Sequence, residues 1–177
     1  MKDAGKLLGI LVVGLGTAVL FYPFLHELGH TAAALLVGAE VAEFRLFPLP
    51  SVLCNMRGVG AWGQAFVGAG GLLLPIATIC LPHPKHFWFW YIRLLLQGIS
   101  LLAAFVSAVA AVLYFFGSPV ANEDVTQILR ALPEARYACL PVLTAMAVFL
   151  LGGLRRMHPL LNILRYFHIS AVHRPAA

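Results

Sequence analysis

Charge is what this chain has least of. Of its 177 residues only 11% are charged, and Asp and Glu together number seven. Against this, 61% are hydrophobic and the mean hydropathy is +0.89. That balance excludes an ordinary soluble domain and places the chain among membrane proteins. Cysteine is sparse too. Cys54, Cys80 and Cys139 are far apart and without CxxC spacing, which argues against a disulfide framework and a cysteine zinc site and leaves them as small packing residues. No linker, low-complexity segment or internal repeat interrupts the chain, and its polar stretches are too short for a second core, so a single membrane-embedded domain over residues 1–177 is expected. The N-terminal run after Lys2 and Lys6 lacks a small-residue cleavage site and reads as a retained span. A net charge of +5 would suggest nucleic acid in a soluble protein. Here the basic residues flank apolar runs, so the expected partner is the lipid bilayer and no nucleic acid.

Four stretches offer roughly the 20 apolar residues that a span needs: residues 7–37, 61–81, 87–116 and 137–154. The expected fold class is an all-α polytopic membrane protein of about four transmembrane helices. Pro23 should kink the first helix, and Gly38 should cap its C-terminus. Residues 39–58 are too polar and proline-rich to span. Their β-branched and aromatic residues around Pro48-Leu49-Pro50 predict a small β-hairpin or re-entrant loop at the membrane edge. In the second span Gly68, Ala69, Gly70 and Gly71 would let another helix approach closely. Trp88, Trp90 and Tyr91 resemble an interfacial belt, and residues 155–177 form a basic tail expected to lie on the membrane surface as an amphipathic segment.

Against this background one polar group stands out. Residues 7–25 carry no charge, and directly after them come His26, Glu27 and His30. On a helix, positions four apart share a face, so His26 and His30 can aim at one ion while Glu27 lies beside it. This HExxH spacing is the zincin arrangement: two histidines and a third protein ligand hold Zn²⁺, an open position admits water, and the glutamate is the general base. In a soluble chain a five-residue pattern is often only surface helix. At membrane depth, two imidazoles and a carboxylate are costly unless paired or liganded, and a metal relieves all three.

The stretch "HELGHTAAALLVGAEV" resembles the signature of the site-2 protease family of intramembrane zinc metalloproteases, and "VGAGGLLLPIA" is similar to that family's second core span. The resemblance implies a zinc endopeptidase cutting transmembrane or membrane-proximal peptide segments of membrane-protein substrates, with His26 and His30 as zinc ligands and Glu27 activating water. It also implies an aspartate ligand from a later span, usually in an Asp-Gly context that this chain lacks. Beyond the hairpin the acids are Glu123, Asp124 and Glu134, and "NEDVTQIL" is the nearest counterpart. With four spans, the loop at Asn122 returns to the face that holds His26, whereas His83, His86, His158, His168 and His173 fall a membrane thickness away. Asp124 is the expected third ligand, steadied by Gln127 one turn on, and Glu123 is the alternative.

Weaker polar features are Arg93 and Gln97, one turn apart within the third span, and Asn55 and Gln64, which could bond substrate backbone or be ordinary loop polarity. The hairpin itself is a candidate edge for adding an extended substrate strand. Two other functions fit the sequence: a catalytically silent relative that binds a partner's transmembrane segment, and a small transporter or channel with a histidine proton relay. The expected location is a bacterial or archaeal cell membrane. Positive-inside counting places the N-terminal face in the cytoplasm, and the family resemblance implies the reverse.

Overall fold

The computed structural model describes the backbone over residues 2–82 and 84–172 and the side chains over 3–78, 80–82 and 84–167. The chain opens with helix α1, Lys2–Gly16, which passes without a break into α2, Tyr22–Leu36. The join is one π-helical turn, Thr17–Phe21, in which the Tyr22 N–H donates to the Thr17 carbonyl. Pro23 has no N–H to give and its ring crowds the preceding turn, so the helix accommodates it by widening. At the other end the Ala39 N–H reaches the Ala34 carbonyl at 2.9 Å and the Gly38 N–H the Leu35 carbonyl at 3.2 Å. With Gly38 at φ 75°, this is a Schellman cap, which only a residue free of Cβ adopts without strain.

Residues 39–58 form the expected hairpin. Strand β1, Glu40–Arg45, pairs antiparallel with β2, Ser51–Asn55, bringing Val41 opposite Cys54 and Phe44 opposite Val52, with a bulge between Val41 and Glu43. Four helices follow: α3, Ala61–Ala77, α4, Phe87–Phe115, α5, Asp124–Ala131, and α6, Arg136–Arg156. A turn at Met157 and His158 leads into α7, Pro159–Val172.

Among the described residues, three helical stretches are long and apolar enough to cross a membrane: Asp3–Leu36, Phe87–Phe115 and Pro133–Phe167. The second of the four expected spans is α3, which is apolar but only 17 residues long before it tightens into a 3₁₀ turn. The last stretch also runs farther than the expected 137–154, because α6 and α7 are nearly continuous. The last residues of the expected tail, 173–177, lie outside the described ones.

Packing follows the membrane pattern, in which small residues fill the interior and large ones face outward. Ala34 and Ala111 are fully buried and Ala104 and Ala110 nearly so, whereas Leu7, Leu11, Phe105 and Val148 are exposed. The closest crossing is between α2 and α3: a methyl on Gly29 would land on the Gly70 carbonyl, and one on Gly70 on the Gly29 carbonyl. A second cluster, Leu72, Ala111, Val125, Leu129 and Leu143, joins α3, α4, α5 and α6. At the opposite end of the molecule Lys6 Nζ donates to the Tyr166 carbonyl at 3.0 Å, and Tyr166 stacks on Phe87 at 3.8 Å. There, too, Arg93 donates to the carbonyls of Leu81 and Pro82 at 2.7 and 3.1 Å, while Gln97 is buried against Gly153 of α6. The two span residues Arg93 and Gln97 thus serve helix ends and packing.

Candidate metal centre

Helix α2 presents His26 and His30 one above the other toward α3. Their Nε2 atoms are 3.1 Å apart. The side chains can lie this deep because α3 has no side chain where they enter: a methyl on Gly71 would stand on both rings. One turn before Gly71, the Val67 carbonyl accepts from His30 Nδ1 at 2.7 Å. A carbonyl only accepts, so Nδ1 carries the proton and, in the neutral ring, Nε2 keeps its lone pair for the centre. This is the arrangement by which a ligating histidine is usually steadied. His26 Nδ1 is buried and has no partner among the described residues.

Helix α5 brings the third group. Asp124, its first residue, places Oδ2 3.2 Å from His26 Nε2 and Oδ1 3.4 Å from His30 Nε2. Burial pushes the Asp124 carboxyl up, but hydrogen bonds and charge from His26 and His30 outweigh it and hold the group at about 2. Its position has a visible cause. Glu123 caps α5, with Oε2 accepting from the Thr126 N–H at 3.0 Å and Oε1 accepting from Ser107 Oγ of α4 at 2.8 Å. Gly68 of α3 admits Ile128 and the Asp124 backbone from the other side. Glu123, the alternative ligand from sequence, is thus turned toward α4 and away from the histidines. Gln127, expected to steady Asp124, is exposed, and no hydrogen bond joins it to the carboxylate.

Glu27 points to the hairpin. Its Oε2 accepts from the Val52 N–H at 2.9 Å, so β2 folds back over the site far enough to touch the glutamate. Burial pushes the nearby Cys54 thiol up, and the charge of Glu27 adds to it. Asn55 and Gln64, read as substrate contacts, are engaged internally: Asn55 with Glu40 and the Arg57 N–H, Gln64 with the Val59 carbonyl.

Among the described residues, His26, His30 and Asp124 form the one group of three or more ligand-type side chains whose donor atoms could share an ion. His86 caps α4 and lies against Phe89, and His158 sits in the turn before α7. His83 and His173 lie outside the described residues, as does the His168 side chain.

The donor set can be tested against zinc. Four ligands around tetrahedral Zn²⁺ at ~2.0–2.1 Å stand ~3.3 Å from one another. The two nitrogens stand 3.1 Å apart, and each has a different Asp124 oxygen near that distance, Oδ2 at 3.2 Å from His26 and Oδ1 at 3.4 Å from His30. With one donor atom per residue the three lie within 4.8 Å of one another, close enough to share one ion. Two nitrogens and one carboxylate oxygen, with a fourth side open, also form the ligand chemistry of a catalytic zinc. His26 and Asp124 side chains keep 24% and 19% of their exposure, which leaves room for water. The residues fit the ion.

Sequence reasoning missed four contributors: the Val67 carbonyl, Gly71, Ser107 and the Val52 N–H. Gly71 was signalled by the glycine run, Ser107 by a hydroxyl in an apolar span, and the two backbone groups by nothing in the sequence. No curated protein and no solved structure gives a significant match to the chain. The profile of the Peptidase M50B-like family matches residues 10–129, which contain every residue of the centre, and the chain belongs to that family.

Proposed function

We propose that the protein is an intramembrane zinc metalloprotease that hydrolyses peptide bonds in transmembrane or membrane-proximal segments. The observation that carries this reading is the convergence of His26, His30 and Asp124 with donor atoms close enough to share one ion, beside a glutamate on the same helix in a membrane-protein fold. His26 and His30 would hold the ion through Nε2 and Asp124 through its carboxylate. Bound there, zinc supplies Lewis acidity to the scissile carbonyl and lowers the pKa of the attacking water. Glu27 is the general base: its carboxylate takes the proton from the attacking water and returns it to the leaving amine. The Val52 N–H holds one Glu27 oxygen and leaves the other available for that work.

The hairpin supports the substrate class. A peptide in a transmembrane helix has its amides bonded internally, and a scissile bond must be extended to be attacked. The edge of β2 beside Glu27 suits an added strand, which would present that bond in extended form. Among the candidate functions a second reading also has an observation in its favour, a silent relative that binds a partner's transmembrane segment, because one Glu27 oxygen is held by the Val52 N–H. Metal analysis tests the proposal. Purified wild type should carry about one zinc per chain, and His26→Ala and His30→Ala should lose it. Unchanged zinc in both variants would place the metal elsewhere and overturn the reading.

A further inference from the structure

The end of the molecule opposite the metal centre carries two adjoining cavities, of about 340 and 390 Å³, that share Asn162 and Arg165. Lys85, Phe87, Trp90 and Tyr166 line the first, and Arg156, His158 and Leu161 the second. Their walls therefore bring together three cationic side chains and an imidazole. Among the described residues no carboxylate lines either cavity. Asp3, at the start of α1, is outside both.

The frame around these groups is fixed. Phe87 and Tyr166 are stacked in parallel at 3.8 Å, Lys6 sits 4.8 Å over the Tyr166 ring, and Asn162 Nδ2 donates to the Met157 carbonyl at 2.8 Å, which holds the α6–α7 turn. Trp90 is 5% exposed, and its indole N–H finds no acceptor among the described residues. A buried indole N–H ordinarily has one.

We infer that these cavities bind the phosphate of an anionic phospholipid headgroup. Clustered cations without a carboxylate call for an anion, since uncompensated like charges in one wall repel each other. Choline or ethanolamine would find no acid among the described lining residues to pair with, so a zwitterionic headgroup gains less. Free phosphate accounts for the cations but not for the apolar part of the same walls, Phe87, Trp90 and Leu161, nor for the exposed Phe89 and Leu160 that flank them. A molecule with a charged head and an acyl body matches both. Basic pockets between membrane helices take such headgroups, and tryptophans mark the same level of the bilayer.

The test uses the full chain in a detergent with a neutral headgroup, following thermal unfolding against added phosphatidylglycerol, phosphatidylcholine or inorganic phosphate. Phosphatidylglycerol should raise the midpoint saturably, and the other two should not at equal concentration. The Lys85→Gln/Arg165→Gln pair should need roughly 30-fold more phosphatidylglycerol, the loss expected for two surface charges, while Arg165→Lys stays near wild type. If that pair does not fold, Arg156→Gln/His158→Gln tests the adjoining cavity by the same titration. Equal stabilisation by phosphatidylcholine, an equal effect of phosphate alone, or an unchanged titration in the folded charge variants would each overturn the assignment.

Discussion

Asp124 Oδ2 lies 3.2 Å from His26 Nε2, although one residue opens a short helix late in the chain and the other sits midway along the first apolar stretch. This contact ties α5 to α2. Asp124→Ala should lower zinc affinity by more than about 100-fold and abolish activity, since a catalytic zinc needs its third protein ligand. Equilibrium zinc titration of the purified variant checks this. Retention of near wild-type affinity would exclude Asp124 as a ligand.

Glu123 and Ser107 should behave differently. They bond each other and the start of α5 without facing the histidines, so Glu123→Ala and Ser107→Ala should weaken zinc by roughly 10-fold to 100-fold, the range for groups that orient a ligand. Glu123→Gln keeps an oxygen for one of the two bonds and should recover part of the loss. A drop in Glu123→Ala as deep as in Asp124→Ala would mean that Glu123 itself ligates.

Two glycines give a contrast between fold and site. A methyl at Gly29 would meet the Gly70 backbone, which cannot swing away, whereas a methyl at Gly71 would meet two imidazoles that can rotate. Gly29→Ala should destabilise the fold by about 1–3 kcal/mol, as overpacking does, seen as a lower unfolding midpoint of the metal-free protein. Gly71→Ala should leave that midpoint close to wild type and lose zinc. Equal behaviour of the two variants would show that the histidines do not depend on the gap at Gly71.

Acidification should strip the metal, because ligands that take up protons no longer bind it. Asp124 is held at about 2, so its carboxylate stays ionised through the acid range above that value and leaves proton uptake to the two nitrogen ligands. Zinc occupancy measured against pH should fall with a slope of two protons per ion. A slope of three would mean that the carboxylate is protonated as well, against its depressed value.

Much of this was legible in the sequence for a physical reason. The HExxH spacing sets two imidazoles on one helix face, Gly38 marks a helix end, and the scarcity of acids after Glu43 leaves few choices for a third ligand. The rest depended on tertiary contacts. Gln127 looked well placed one turn from Asp124, but spacing along a helix does not say which face a neighbour covers. The π turn at Thr17–Phe21 was not legible, because only the packed helix shows where it widens to absorb Pro23. Residues 61–81 read as a full span by hydropathy, yet the helix tightens after Ala77, where Pro75 has already removed one backbone donor.

The most direct measurement is cleavage of a model transmembrane peptide by reconstituted wild type beside Glu27→Gln, with zinc content determined in both. Glu27→Gln keeps the shape of the side chain and the acceptor for Val52 but loses the base. The expected result is about one zinc per chain in each protein, cleavage by wild type and none above background by the variant. Equal cleavage by the two proteins, or no cleavage by zinc-loaded wild type, would contradict a protease in which Glu27 is the base.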